Sequence, residues 1–96
     1  DEMAITVRFI GALRAASSKS KIALKIKGVV TLRELVKKIV EEEPKLERAL
    51  IDPELKDPRP NALILVNGKE INVLNGLETM LKDEDEVIIV PVLHGG

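Results

Sequence analysis

Glu86-Val87-Ile88-Ile89-Val90-Pro91-Val92-Leu93-His94-Gly95-Gly96 is the stretch on which the reading of this chain turns. Val87 to Val90 are β-branched and apolar at every position, which suits a strand in the interior of a sheet. Pro91 has no N–H to give to a ladder, so regular pairing is expected to stop about there. Residues 92–96 then read as a flexible tail. Extended, Pro91 to Gly96 reaches about 20 Å. The stretch therefore reads as a rigid body that carries a main-chain carboxylate at Gly96 on a stalk. Such a group serves poorly as an internal catalyst but is well placed to enter the active site of another protein.

The totals fit that reading. The 96 residues make one domain, 1–96, with 45% hydrophobic and 32% charged residues, a balance typical of a soluble globular protein. Asp1 and Glu2 precede a Met that begins the first apolar pattern and read as an extraneous leader. With no Cys and a single His, the chain has no disulfide, no thiolate or His-based metal site and no conventional catalytic triad. No metal or cofactor of its own is expected. Without a signal peptide or a membrane-length apolar run, cytoplasmic location is the default. Residues 1–40 carry nine Lys/Arg against three Asp/Glu, and residues 41–96 carry six against thirteen. The basic half could suggest nucleic acid, but one Phe and no Tyr or Trp leave nothing for bases to stack on. Neither nucleic acid nor membrane is an expected partner.

Working back from the final stretch, Lys82 to Asp85 is a charged turn and Asn75-Gly76 another. Leu77 and Leu81 are expected to cover the edge of the core. Ala62 to Val66 is a continuous apolar run, read as a buried strand. Asn67-Gly68 tolerates the two positive φ angles of a type I′ hairpin, which makes Lys69 to Val73 the return strand. Asp52 to Pro60, with three prolines, is a surface loop. Pro44 ends a helix near Glu43 and opens a short helical turn through Leu46, Ala49 and Leu50. That helix begins at a capping box, Thr31 with Glu34, flanked by Val30 and Leu35 at the positions of a hydrophobic staple. Leu32, Leu35, Val36, Ile39 and Val40 repeat at helical spacing and form one apolar stripe. Near the start, Ile5, Val7 and Phe9 alternate along one strand and Ile22, Leu24 and Ile26 along a second, paired as a hairpin across a polar turn at Ser17 to Ser20. The order is β-β-α-β-β-β with one main helix, an α+β chain.

Three blocks carry a family resemblance: MAITVRFIGALR at the start, TLRELVKKI at the helix, and LILVNGKEI through DEDEVIIVPVLHGG at the end. With them the chain resembles the ubiquitin-like β-grasp sulfur carriers. It looks most like the MoaD-like small subunit of molybdopterin synthase, with ThiS-like carriers and archaeal ubiquitin-like modifiers as relatives. Departures lie beside the tail. Glu84 stands where the family commonly has glycine, Val90-Pro91 where two prolines often stand, and Leu93-His94 where the approach to the glycines is smaller. The resemblance implies a mixed sheet with the first and last strands parallel at its centre and the helix packed on one face. It further implies adenylation of Gly96 by a MoeB/ThiF-like E1 enzyme using ATP and Mg²⁺, then conversion to a thiocarboxylate. The sulfur goes to a cofactor precursor in complex with a MoaE-like large subunit. In the modifier branch the activated end joins the lysines of target proteins.

Glycine has no Cβ, so Gly95 and Gly96 suit a narrow channel. His94 reads as a spacer that contacts the partner, and Leu93 as part of the same approach. One helix covers one face of a sheet, yet the strands at Ile10, Ile88 and Val90 are apolar on both. Ile10, Ile88 and Val90 are therefore expected to form an apolar docking patch near the tail, with Pro91 contacting the partner where the tail begins. Cover by the Asp52–Pro60 loop, or by a second copy, is the alternative.

Overall fold

The computed structural model describes residues 2–92. The helix start is built as the capping box requires. Glu34 N–H donates to Thr31 Oγ1 at 3.2 Å, and Thr31 N–H donates to Glu34 Oε1 at 3.0 Å. The main helix spans Leu32–Glu42, with Glu43 as its C-cap. It buries Leu32, Leu35, Val36 and Ile39 against the sheet and half-buries Val40. The bonds from Thr31 hold the Glu34 carboxyl below the usual carboxylate range. A group with a depressed folded pKa stabilises above its unfolded pKa, and that stabilisation is lost as pH falls through the folded value. Thr31→Ala is expected to cost ~1 kcal/mol of stability at neutral pH. Thermal melts from neutral to acid pH check this, and the gap between the two proteins should narrow in acid.

In chain order the elements are β1 (Glu2–Phe9), α1 (Ala12–Ser17), β2 (Lys21–Lys27), β3 (Val30–Thr31), α2 (Leu32–Glu42), α3 (Leu46–Leu50), β4 (Ala62–Val66), β5 (Lys69–Glu70), β6 (Met80–Leu81) and β7 (Glu86–Pro91). Five strands form one mixed sheet in the order β2-β1-β7-β4-β5, and β3 pairs with β6 in a second ladder. β7 lies at the centre, parallel to β1 (Val7 beside Val87, Phe9 beside Ile89) and antiparallel to β4 (Val66 beside Val87, Ile64 beside Ile89). This is the β-grasp arrangement. The core is the inner face of the sheet, with Ile5, Val7, Phe9, Leu24, Ile26, Ile64, Val87 and Ile89, closed by α2, Leu13 of α1, and Leu46 and Leu50 of α3. Leu77 and Leu81 are buried, as expected of edge cover.

Two turns hold β7 in register. Asn67 and Gly68 take φ of 50° and 83°, the positive pair the hairpin needs. The Asn67 side chain also reaches the turn before β7, donating from Nδ2 to Asp85 Oδ1 at 2.8 Å and accepting Glu86 N–H on Oδ1 at 2.9 Å. Asp85 in turn accepts Lys82 N–H at 2.8 Å. Glu84 sits at φ 68°, in the left-handed region where glycine is favoured.

Three elements of the fold depart from the sequence reading. A six-residue helix, α1, stands where only a turn at Ser17 to Ser20 was expected. It has no side-chain cap and buries only Leu13 and Ser17, so it lacks the stripe that marks a helix. The return strand is Lys69–Glu70 alone. Glu70 accepts the N–H of Asn72, and Ile71–Val73 turns into a single 3₁₀ turn that buries Ile71. The β3–β6 ladder is two residues long on each side and has no periodicity to read. Glu2 stands at the start of β1 and pairs with Lys27.

Candidate functional site: the end of the central strand and the open sheet face

Side chains alternate across β7, so burial of Val87 and Ile89 in the core puts Ile88 and Val90 on the other face. Among the described residues, that face carries no helix. Ile88 lies between Arg8 of β1 and Leu65 of β4, and Val90 lies beside Leu63. Ile88, Val90, Pro91 and Leu65 are half-buried, while Ile10 is 44% and Leu63 40% exposed. Arg8 and Glu86 form an ion pair at 2.6 Å on the same face, with both side chains partly solvated.

The strand end is fixed from two sides. Val92 N–H donates to Asn61 O at 2.9 Å, so pairing with the segment that leads into β4 runs one residue past Pro91. Ile10 N–H donates to Ile89 O at 3.1 Å, and the next residue, Gly11, turns the chain into α1 at φ 59°, ψ −132°. A Cβ on Gly11 would stand 3.3 Å from Pro91 Cγ. Gly11 is thus required twice, by its dihedrals and by the closeness of the Pro91 ring. Gly11→Ala is expected to lower stability by about 1–3 kcal/mol. Urea titration checks this, and a midpoint equal to wild type would mean that the turn relaxes without cost.

The sequence-predicted residues Ile10, Ile88, Val90 and Pro91 come together around this strand end. Leu93, His94, Gly95 and Gly96 lie outside the described residues. The Asp52–Pro60 loop does not cover the patch. It closes on itself through an Asp52–Asp57 bridge, and Lys56 and Pro58 line a groove with Arg33, Val36 and Lys37 of α2, on the opposite side of the sheet. Leu63 and Leu65 complete the patch, although Ala62 to Val66 reads as wholly buried. The signal was present: β4 is apolar on both faces of a sheet that one helix covers on one side. Among the described residues, no group of three or more His, Cys, Asp or Glu could hold a metal, and no helix is long and apolar enough to cross a membrane.

The chain is a ubiquitin-like β-grasp body whose central strand ends beside an open apolar face. The chain belongs to the ThiS family, whose model matches residues 7–96. It is a ThiS/MoaD-like sulfur carrier or a ubiquitin-like modifier of the small archaeal type. It is similar to small archaeal modifier protein 3 of Haloferax volcanii, 30% identical over 95 residues that cover 98% of this chain and all of the relative. The solution structure of small archaeal modifier protein 1 from Methanosarcina acetivorans superposes with a TM-score of 0.84 at 26% identity, covering 100% of this chain and 99% of that one. A complex of subunits 1 and 2 of molybdopterin-converting factor from Helicobacter pylori contains a chain that is 26% identical, with a TM-score of 0.63 over 98% of this chain and 100% of that one.

Proposed function

We propose that this chain is a sulfur carrier acting as the small subunit of molybdopterin synthase, with the Gly96 carboxylate as its reacting group. The observation that carries the reading is the family match running through residue 96 of a chain whose central strand ends beside an open apolar face. A carboxylate resists nucleophiles because of its charge and its poor leaving group. In the proposed reaction a Gly96 carboxylate oxygen attacks the α-phosphorus of ATP, and pyrophosphate leaves. The activating partner is a MoeB/ThiF-like E1 enzyme, which supplies ATP and Mg²⁺. Sulfur at the sulfide level, as hydrosulfide, then attacks the carbonyl carbon, a C–S bond replaces the C–O bond to AMP, and the resulting thiocarboxylate delivers its sulfur in molybdenum or tungsten cofactor formation. Pro91, Leu93, His94 and Gly95 are the approach to the partner's channel. Ile10, Ile88 and Val90 are the docking patch for the E1-like enzyme and for a MoaE-like large subunit.

A second reading, conjugation of Gly96 to target-protein lysines, is favoured by the full-length likeness to an archaeal modifier protein. Intact mass of the protein purified from its host separates the two. Replacement of one oxygen by sulfur is the expected shift. Branched lysine peptides ending in Gly95-Gly96, with no sulfur-bearing form, would establish the modifier in its place.

A further inference from the structure

We propose that the free edge of β2 is a strand-addition site for an extended segment of another protein in which acidic and apolar side chains alternate. Among the described residues the sheet ends at β2 and β5, and β5 is only two residues long, so β2 is the long edge. Phe9 N–H donates to Ser20 O at 2.9 Å, which fixes the phase of the β1–β2 ladder. In that phase Ile22, Leu24 and Ile26 direct their main-chain groups to β1, and Lys21, Ala23, Lys25 and Lys27 direct theirs outward. An antiparallel strand added there would meet ready donors and acceptors along the length of β2.

Side-chain chemistry selects the occupant. Lys21, Lys25 and Lys27 are exposed on the open face, and none takes part in an ion pair among the described residues. A second copy of this edge would set lysine against lysine, which disfavours self-pairing. An acidic strand would set a carboxylate opposite each lysine. A groove of about 330 Å³ runs between β2 and the end of α2, with Ile22, Ala23 and Leu24 on one wall beside Lys19 and Lys21, and Glu42 and Glu43 on the other. Glu43 is neutralised by Lys19 at 3.3 Å, while Glu42 stays free to repel a carboxylate. The groove side therefore takes the apolar side chains of the segment, and the lysine face takes its acids.

The test uses the whole ¹⁵N-labelled protein and the capped heptapeptide DVDIDVD. Saturable binding is expected, with slowed amide exchange at Lys21, Ala23, Lys25 and Lys27, and the affinity should fall several-fold when salt rises from about 0.02 to 0.2 M. The double variant Lys21→Glu/Lys25→Glu, with an unchanged melt, should bind about tenfold or more weakly. The peptide N-methylated on its two central aspartates, which removes the donors that would face β2, should not bind. The proposal is overturned by absence of binding at millimolar peptide, by equal binding of the N-methylated peptide or of KVKIKVK, or by binding that leaves the four amides unprotected. None of these readouts involves Gly96, so failure here leaves the sulfur-carrier reading untouched.

Discussion

A chain shortened by Gly96 alone is expected to melt with the full-length protein and yet support no ATP–pyrophosphate exchange with its E1-like enzyme. Stability should hold because, among the described residues, Ile89 is the last that is buried in the core. Activation should fail because the deletion draws the terminal carbonyl back by about 3.5 Å, and a positioned reaction loses its rate over far smaller displacements. Adding one Ala after Gly96 should be as damaging, since it moves a Cβ-bearing residue to the reacting position. Gly95→Ala should be milder, perturbing the approach but not the reacting atom. Exchange by the extended chain at the wild-type rate, with no proteolytic trimming seen by mass, would take the chemistry away from the terminus.

Val90→Asp and Ile10→Asp are expected to leave folded monomers that bind the E1-like enzyme and the large subunit about 100-fold or more weakly. Both positions lie on the open face outside the core, so a carboxylate there remains solvated in the free protein. On docking it must lose that water without gaining a partner, at a cost of several kcal/mol. Leu63→Asp should act similarly, since Leu63 lies beside Val90. Calorimetric titration with each partner, alongside thermal melts, measures the effect. Wild-type affinity for both partners in all three variants would remove the patch from the function.

The sequence was most legible where a single local rule decides the conformation. Thr31 with Glu34 announces a helix start whose two reciprocal bonds are both present, and Asn67-Gly68 announces a hairpin whose two φ angles are both positive. The central place of β7 was readable because Val87 to Val90 leave no polar face to turn toward water. What escaped was structure set by distant partners. Lys69 to Val73 has the pattern of a strand, but Ile71 is drawn into the core and Glu70 captures the N–H of Asn72, so the ladder stops at Glu70. α1 exists because Gly11 bends the chain beside Pro91, eighty positions away, and Leu13 then drops into the core. The apolar patch on the open face was half legible for the same reason. Ile10, Ile88 and Val90 follow from counting faces, whereas Leu63 and Leu65 needed the knowledge that β4 shares the uncovered side. Glu84, noted as standing where glycine is common, proves to occupy a left-handed turn.

The central position of β7 has a consequence for how the molecule comes into being. Every other element of the fold precedes β7 along the chain, yet β1 and β4 meet only through it. During synthesis the β1–β2 hairpin and α2 can form early, but the sheet stays split until residues 86–91 have left the ribosome. The β1–β7 pairing, with Thr6 opposite Glu86, closes a loop of nearly the whole chain, so the decisive step is long-range and late. A nascent or truncated chain lacking β7 would leave both halves of the core exposed, a natural target for proteolysis. Completion of the sheet is thus coupled to synthesis of β7: copies that reach the native state have already been made through Pro91.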